Sequence, residues 1–243
     1  ARTTMAFIAM PDEDHPEFIF YRNPGADMLL RQDELDYALL RSTRVFHFGS
    51  LSLVQEPSRS TTLKAVEIAR EEGALISFDV NYRPALWNAP HEAIAVIVKV
   101  LSYVDLVKVN EIEAAMFSGF ERVEVEEKRL GDVARNILQY GPRVCVITLG
   151  PDGSYYHTAD AGEHIPGFEV DTVDATGCGD AFIAGMLCSL IGEGEWHDRL
   201  TPEDLHEALV YANAVGALTA LKQGVIPALP TAERVETFLD AQI

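Results

Sequence analysis

The sequence predicts an α/β fold, a parallel sheet with helices on its faces. Three observations predict it. From Val45 onward, short apolar runs alternate with segments of helical periodicity. The strand-like runs are nearly continuous in apolar residues, as expected of strands covered on both sides. Polar residues then gather where those runs end. The chain has 243 residues, 38 acidic against 19 basic, for a net charge of −19. That length fits one large domain or two small ones and can bury a sizeable core. With 48% hydrophobic and 23% charged residues the composition is globular and excludes disorder. The acidic excess repels nucleic-acid phosphates and anionic membranes, so neither is expected as a partner. No apolar run approaches the roughly 20 residues of a membrane helix, and no signal peptide is visible. Cys145, Cys178 and Cys188 are odd in number and lack metal-ligand spacing. They read as reduced thiols of a cytoplasmic protein.

The elements follow in order. Thr4 to Met10 and Glu17 to Arg22 alternate as strands, and Pro11, Asp12, Glu13 and Asp14 between them carry turn chemistry, so this is a β-hairpin. Val45 to Leu51 is a strand, Pro57 to Glu72 a helix stopped by Gly73, and Leu75 to Val80 a strand. Pro90 to Tyr103 is a helix and Val104 to Val109 a strand. Glu111 to Phe117 is a short helix closed by Gly119. Val123 to Tyr140 is an amphipathic helix with Leu130, Val133, Ala134, Ile137 and Leu138 on one face, and its charged run from Glu121 to Arg129 reads as a solvated face. Val144 to Leu149 is a strand, and Gly153 to His157 with Glu163 to Val170 form a hairpin at the sheet edge. The remainder is helical at Ala181 to Ile191, Pro202 to Leu221 and Ala232 to Ala241.

In open α/β sheets ligands sit beyond the carboxyl ends of strands. Ser50 and Ser52 follow the first core strand, and Asp79, Asn81 and Arg83 the second. Asn110 and Glu113 follow the third, and Thr148 with Gly150 the fourth. As a set they mark a site; singly they are ordinary polar loop residues. His47, inside an aromatic strand, reads as a core or supporting residue rather than a catalyst.

The segment from Asp171 to Ala184, DTVDATGCGDAFIA, carries the chemistry. Gly177 and Gly179 flank Cys178, and Asp180 opens a helix with Phe182, Ile183, Met186, Leu187 and Leu190 on its apolar face. A glycine-rich turn at a helix start aims several backbone N–H groups at one point, and the helix dipole adds positive potential, so the turn suits an anion, most naturally phosphate. Asp180 then lies beside a held phosphoryl group, ionised by the dipole, where it can take the proton of an attacking hydroxyl. A tight turn with an Asp cap explains the same residues, and both readings stand at this point. The P-loop pattern, the G-x-G-x-x-G spacing (Phe182 occupies its third position) and protein-kinase signatures are absent.

DATGCGDAF and the helix behind it resemble the second signature of the ribokinase (PfkB) carbohydrate kinases. KVNEIEA (Lys108 to Ala114) looks like the family's Asn-x-x-Glu motif, TLGPDG (Thr148 to Gly153) its nucleotide-contacting turn, and Ala212 to Pro230 its segment beside the adenine. FYRNPGADMLL (Phe20 to Leu30) and FDVNYRPALW (Phe78 to Trp87) look most like fructokinases within that family. The resemblance implies a ribokinase-like three-layer α/β/α fold with a small β lid. Residues 1–30 would be the remainder of the lid and 31–243 the nucleotide- and sugar-binding core. It implies an ATP-dependent kinase acting on the primary hydroxyl of a ketose, fructose before 2-keto-3-deoxygluconate or ribose. A non-catalytic sugar- or nucleotide-binding relative is the alternative of a different class.

On these residues the resemblance makes Asp180 the catalytic base, with Gly177, Cys178 and Gly179 the anion hole. Tyr21, Arg22 and Arg83 would contact the substrate. Thr148, Gly150, Gly153 and Asn213 would line the ATP site. Asn110 and Glu113 would organise magnesium through water and phosphate, and Asp174 and Thr176 would serve a monovalent cation, potassium in relatives. Rival readings stay open: Arg22 and Tyr21 as ordinary strand residues, Asn110 and Glu113 as helix cap and first-turn acid, and Asn213 bonded only to a neighbouring turn. Cys178 stands where alanine or serine is commoner, and its place at a helix start predicts a lowered thiol pKa and sensitivity to oxidation. The family's first core strand, its sugar-binding Asp and its Gly-Gly motif have no counterpart here, so a fragment or part of a longer enzyme is expected. The hairpin offers strand edges for a homodimer.

Overall fold

A computed structural model describes residues 1–9, 17–117, 126–192 and 195–242. They fall into two compact units, Ala1–Val104 and Asp105–Ile243. The hairpin turn read at Pro11 to Asp14, the stop at Gly119 and the helix start at Val123 lie outside the described residues.

In the first unit, alternation of strand-forming residues produces the expected hairpin. β1 (Met5–Ala9) pairs antiparallel with β2 (Glu17–Tyr21), with Met5 opposite Tyr21 and Phe7 opposite Ile19. Period-two alternation puts these four side chains on one face. All four are exposed, from 53% for Met5 and Phe7 to 64% for Tyr21. The Phe7 and Tyr21 rings meet edge-on with centroids 5.5 Å apart. A short helix that the residue pattern does not disclose follows, α1 (Tyr37–Ser42), capped by Asp36, whose carboxylate accepts the Leu39 N–H. Six residues carry less than two turns of periodicity, too few to read.

β3 (Val45–Gly49), α2 (Ser58–Glu71), β4 (Leu75–Asp79) and α3 (Pro90–Leu101) complete this unit. β3 and β4 run parallel, from Val45 beside Leu75 to Gly49 beside Asp79. The reading of Val45 to Leu51 as one strand is corrected at its end, where residues 50–53 form a 3₁₀ turn. β4 is buried throughout, whereas His47 in β3 is exposed, its Nδ1 3.0 Å from Ser77 Oγ on β4. The core placement of His47 is therefore wrong, because its strand position points it outward.

The second unit holds β5 (Leu106–Asn110), α4 (Glu111–Ala115), α5 (Glu127–Leu138) and β6 (Val144–Thr148). β7 (Ser154–His157), β8 (Gly162–Ile165), α6 (Cys178–Leu190), α7 (Pro202–Ala220) and α8 (Ala232–Asp240) follow. β5 and β6 are parallel, and β6, β7 and β8 pair antiparallel in turn, giving the expected edge hairpin. Leu130, Val133, Ala134 and Ile137 bury one face of α5, while Glu127 and Lys128 are exposed. α6 packs on α7 through Gly185, where an added Cβ would lie 2.9 Å from Val215 Cγ2. Val215, Leu218 and Ala181 join Val235 of α8 in one cluster, closed by the Phe168 and Phe238 rings edge-on at 5.1 Å. Among the described residues no helix is long and apolar enough to cross a membrane.

Gly185→Leu forces a side chain between two packed helices and is expected to cost about 1–3 kcal/mol. Urea unfolding should show a lower midpoint at unchanged slope; an unchanged midpoint would mean the helices have room to part.

Candidate active site

The turn into α6 is built by two glycines with different needs. Gly177 caps the helix in the left-handed conformation (φ 82°), and a Cβ there would lie 2.4 Å from Val225 Cγ1. Gly179, one residue into the helix, has no such φ; a Cβ on it would lie 3.3 Å from Lys108 Nζ. The Cys178 N–H bonds Ala175 O at 3.2 Å, and the Ala181 N–H bonds Gly177 O at 2.8 Å. Between them the N–H groups of Gly179 and Asp180 have no protein partner among the described residues. Two free donors at the positive end of a 13-residue helix can hold an anionic oxygen. Asp180 sits in that same first turn, exposed.

Asp174 braces the turn. Its Oδ1 accepts the Thr176 N–H at 2.9 Å and its Oδ2 the Gly224 N–H at 3.1 Å. These bonds hold its carboxyl below the usual carboxylate range. The expectation for Cys178 is overturned. Burial, with the Asp174 charge adding to it, pushes the thiol up to about 11. Cys145 is fully buried and shifted further upward by burial alone, whereas Cys188 is exposed.

Asn110 and Glu113 are brought together at the start of α4 as a capping box. Asn110 Oδ1 accepts the Ile112 and Glu113 N–H groups, and Glu113 Oε2 accepts the Asn110 N–H at 2.9 Å. Glu113 is 2% exposed. Among the described residues no three His, Cys, Asp or Glu side chains are grouped to hold a metal directly. Thr148 ends β6 with its hydroxyl 3.4 Å from Val109 O. Gly150 (φ 60°) and Gly153 (φ 93°) shape the next turn, which is packed so tightly that a Cβ on Gly153 would lie 2.2 Å from Ile165 O. Asn213 is buried in α7 and donates both amide hydrogens, to Ile165 O and Pro166 O, each at 3.2 Å.

In the first unit Ser50, Asp79 and Asn81 converge at the strand ends. Ser50 Oγ donates to Asn81 O at 3.4 Å, and the Asn81 N–H donates to Asp79 Oδ1 at 3.1 Å. Asn81 itself takes φ 37°, a conformation Asn tolerates better than most residues. Ser52 Oγ bonds Gly49 O at 2.9 Å, and Arg83 is half-buried with Nη1 3.2 Å from Tyr82 O. Tyr21 is exposed on the hairpin face. The Arg22 side chain is only 5% exposed; it forks onto Asp27 and donates to Leu51 O at 2.9 Å, in the turn that follows β3. Its Nη1 is buried without a hydrogen-bond partner among the described residues.

Lys108 lies beside this turn, although the motif reading does not single it out. It is 6% exposed, between Val107 and Val109, which have no exposed surface, and its Nζ lies close to Gly179. The signal is present in the sequence, since lysine in the middle of VDLVKV is a charge where none belongs.

Fold and site together define an α/β protein with two N–H groups at a helix start that have no protein partner among the described residues, and a carboxylate in the same turn. The family model for pfkB family carbohydrate kinases matches residues 1–232, and the chain belongs to that family. The probable fructokinase-2 of Arabidopsis thaliana is 40% identical over 243 residues, covering all of this chain and 71% of the relative. The crystal structure of fructokinase with bound ATP from Xylella fastidiosa superposes with a TM-score of 0.86 at 28% identity, over all of this chain and 74% of that one. A Vibrio cholerae O395 fructokinase double mutant, in a form with fructose, ADP and potassium ion bound, gives a TM-score of 0.79 at 30% identity, over 92% of this chain and 68% of that one.

Two outcomes follow from these environments. Iodoacetamide at about pH 7.5 should alkylate exposed Cys188 well before Cys178; peptide mass spectrometry that finds Cys178 modified first would contradict its raised pKa. Burial raises the Asp27 carboxyl, but the Thr4 and Arg22 hydrogen bonds outweigh it and the net shift is downward. A depressed pKa stabilises the fold above the ordinary carboxylate range and loses that contribution as pH falls. The stability deficit of Asp27→Asn in urea should therefore be larger at about pH 6 than at about pH 3.

Proposed function

We propose that the chain is an ATP-dependent sugar kinase that transfers the γ-phosphoryl group to the 6-hydroxyl of fructose. One observation carries this reading: two unpartnered N–H groups and a carboxylate share the first turn of α6, in a chain 40% identical to a fructokinase relative. The sugar hydroxyl oxygen forms a new bond to the γ-phosphorus, and its proton passes to Asp180. The bond from that phosphorus to the bridging oxygen breaks, and the electron pair leaves with ADP. The transition state is loose, so the protein's work is to position groups and neutralise charge, which the Gly177–Cys178–Gly179 turn would do through the N–H groups of Gly179 and Asp180, since that of Cys178 is held by Ala175 O.

Tyr21, Arg22 and Arg83 are proposed on the sugar side, with residues 1–30 as a lid and 31–243 as the core. The unpartnered Nη1 is what Arg22 has left to offer a ligand. Thr148, Gly150, Gly153 and Asn213 are proposed along the nucleotide. With both amide hydrogens of Asn213 committed, its Oδ1 is the group left for the adenine. Magnesium would supply charge neutralisation on the phosphates. The capping box at Asn110 and Glu113 suits contact through water rather than a direct cage. Asp174 and Thr176 are proposed beside a potassium ion, the ion bound in the Vibrio relative. The exposed apolar face of the hairpin supports a homodimer through the lid. Three free cysteines suit a reducing cytoplasm.

A coupled assay of ADP release over fructose, 2-keto-3-deoxygluconate and ribose tests the substrate. Fructose should give the highest kcat/KM, and Asp180→Asn should lower kcat roughly 100- to 10,000-fold. Turnover by Asp180→Asn equal to that of the parent would remove the base. Calorimetric ATP binding without turnover of any sugar would instead make the protein a non-catalytic binder.

A further inference from the structure

The Arg22 guanidinium is buried, and its donors can be accounted for one by one. Nε and Nη2 both give to Asp27 Oδ2, at 2.8 and 2.5 Å, and Nη2 also gives to Leu51 O at 2.9 Å. Nη1 is left over, buried without a hydrogen-bond partner among the described residues. Asp27 is held in turn, its Oδ1 accepting the Thr4 hydroxyl. Gly25 lies against all three, and a side chain on it would collide with Thr4 Oγ1 and Asp27 Oδ1 and crowd Arg22 Cγ. Its φ of −79° is open to any residue, so the missing side chain serves this packing rather than the backbone. Leu51 lies in the turn after β3, at the carboxyl end of the strand, where ligands bind in such sheets.

The pair leaves a donor but no net charge. What Nη1 offers is a hydrogen bond from a guanidinium that Asp27 already neutralises. A hydroxyl or carbonyl oxygen accepts that bond and satisfies a group that burial otherwise leaves costly. A carboxylate accepts it only with the Asp27 charge close by, and like charges so placed repel. The Arg22 side chain is 5% exposed and that of Asp27 46%, so water screens the pair in part and its effect is a preference rather than an exclusion. We propose that Asp27 is a specificity-determining residue: by pairing with Arg22 it makes the sugar side of the site select an uncharged ketose over a sugar that carries a carboxylate. The inference rests on the sugar-kinase reading above, in which Arg22 meets the sugar. Asp27 acts through Arg22 as a positioning residue, so its effect falls on the choice between substrates.

Asp27→Asn removes the charge and keeps the shape. Its carbonyl can still accept the Arg22 fork, and the Thr4 hydroxyl can accept from its amide. In the coupled assay with fructose and 2-keto-3-deoxygluconate, the kcat/KM for the acid divided by that for fructose should rise at least about tenfold over the parent. Asp27→Glu, which keeps the charge, should hold that ratio within about threefold of the parent. A purely structural loss lowers both sugars alike. An unchanged ratio in folded Asp27→Asn overturns the proposal, and so does an equal shift in Asp27→Glu. Should Asp27→Asn fail to fold, arginine-selective ¹⁵N NMR of the parent decides instead. The Arg22 resonances should move at a lower concentration of fructose than of 2-keto-3-deoxygluconate, and the opposite order, or no movement with either, overturns it. If the parent phosphorylates no sugar, the kinase reading fails, while calorimetric affinities of the parent and Asp27→Asn for the two sugars, read as the same ratio, still decide on Asp27. If fructose is turned over and the ratio stays put, this inference alone fails.

Discussion

The left-handed turn at Gly177 is the constraint on which the second unit's site depends. Val225 fills the space a Cβ would need, so the residue must be glycine. Asp174 grips the turn from one side and the Gly224 backbone from the other, tying the start of α6 to the loop after α7. With the turn held, the N–H groups of Gly179 and Asp180 have no protein partner among the described residues, and the Asp180 carboxylate falls in the same turn. The same placement runs α6 along α7, where Gly185 lets the two helices approach.

Several polar side chains of this protein are committed to backbone groups. Glu113 and Asn110 close a capping box, Asp174 braces a turn, and Asn213 ties α7 to the end of β8. Each satisfies backbone groups that burial would otherwise leave costly. Polar residues at strand ends thus serve the fold first, and any ligand must use what they leave over. Among the described residues the groups with capacity left include the Gly179 and Asp180 N–H donors of α6, the exposed carboxylate of Asp180, and Arg22 Nη1. An acidic chain can bind phosphate in this way because backbone dipoles and local cations act over short distances, against a surface field that salt screens.

Long elements are legible in the residue order because burial imposes a period. α5 buries one stripe of side chains and β4 buries every residue, and both patterns are visible in the chain. The glycine-rich turn is legible because few residue types tolerate its backbone. Other features escape for definite reasons. α1 is too short to show a period. His47 sits in an aromatic strand, but strand pairing sets which side it faces. Cys178 has the helix position that lowers a thiol pKa, yet its burial and the Asp174 charge raise it instead.

The sequence by itself determined the class of fold, the order of strands and helices, and the helix-start signature that marks this family. These follow from local rules, the periodicity of burial and the conformational reach of glycine, which act between near neighbours in the chain. Only the tertiary structure decided how far groups distant in sequence would approach. It placed Lys108 of β5 against Gly179 of α6 and set Val225 beside Gly177. It also committed the Arg22 fork to Asp27 and Leu51. Such contacts depend on where whole elements pack, and the desolvation and charge they create are set by neighbours that no local pattern names.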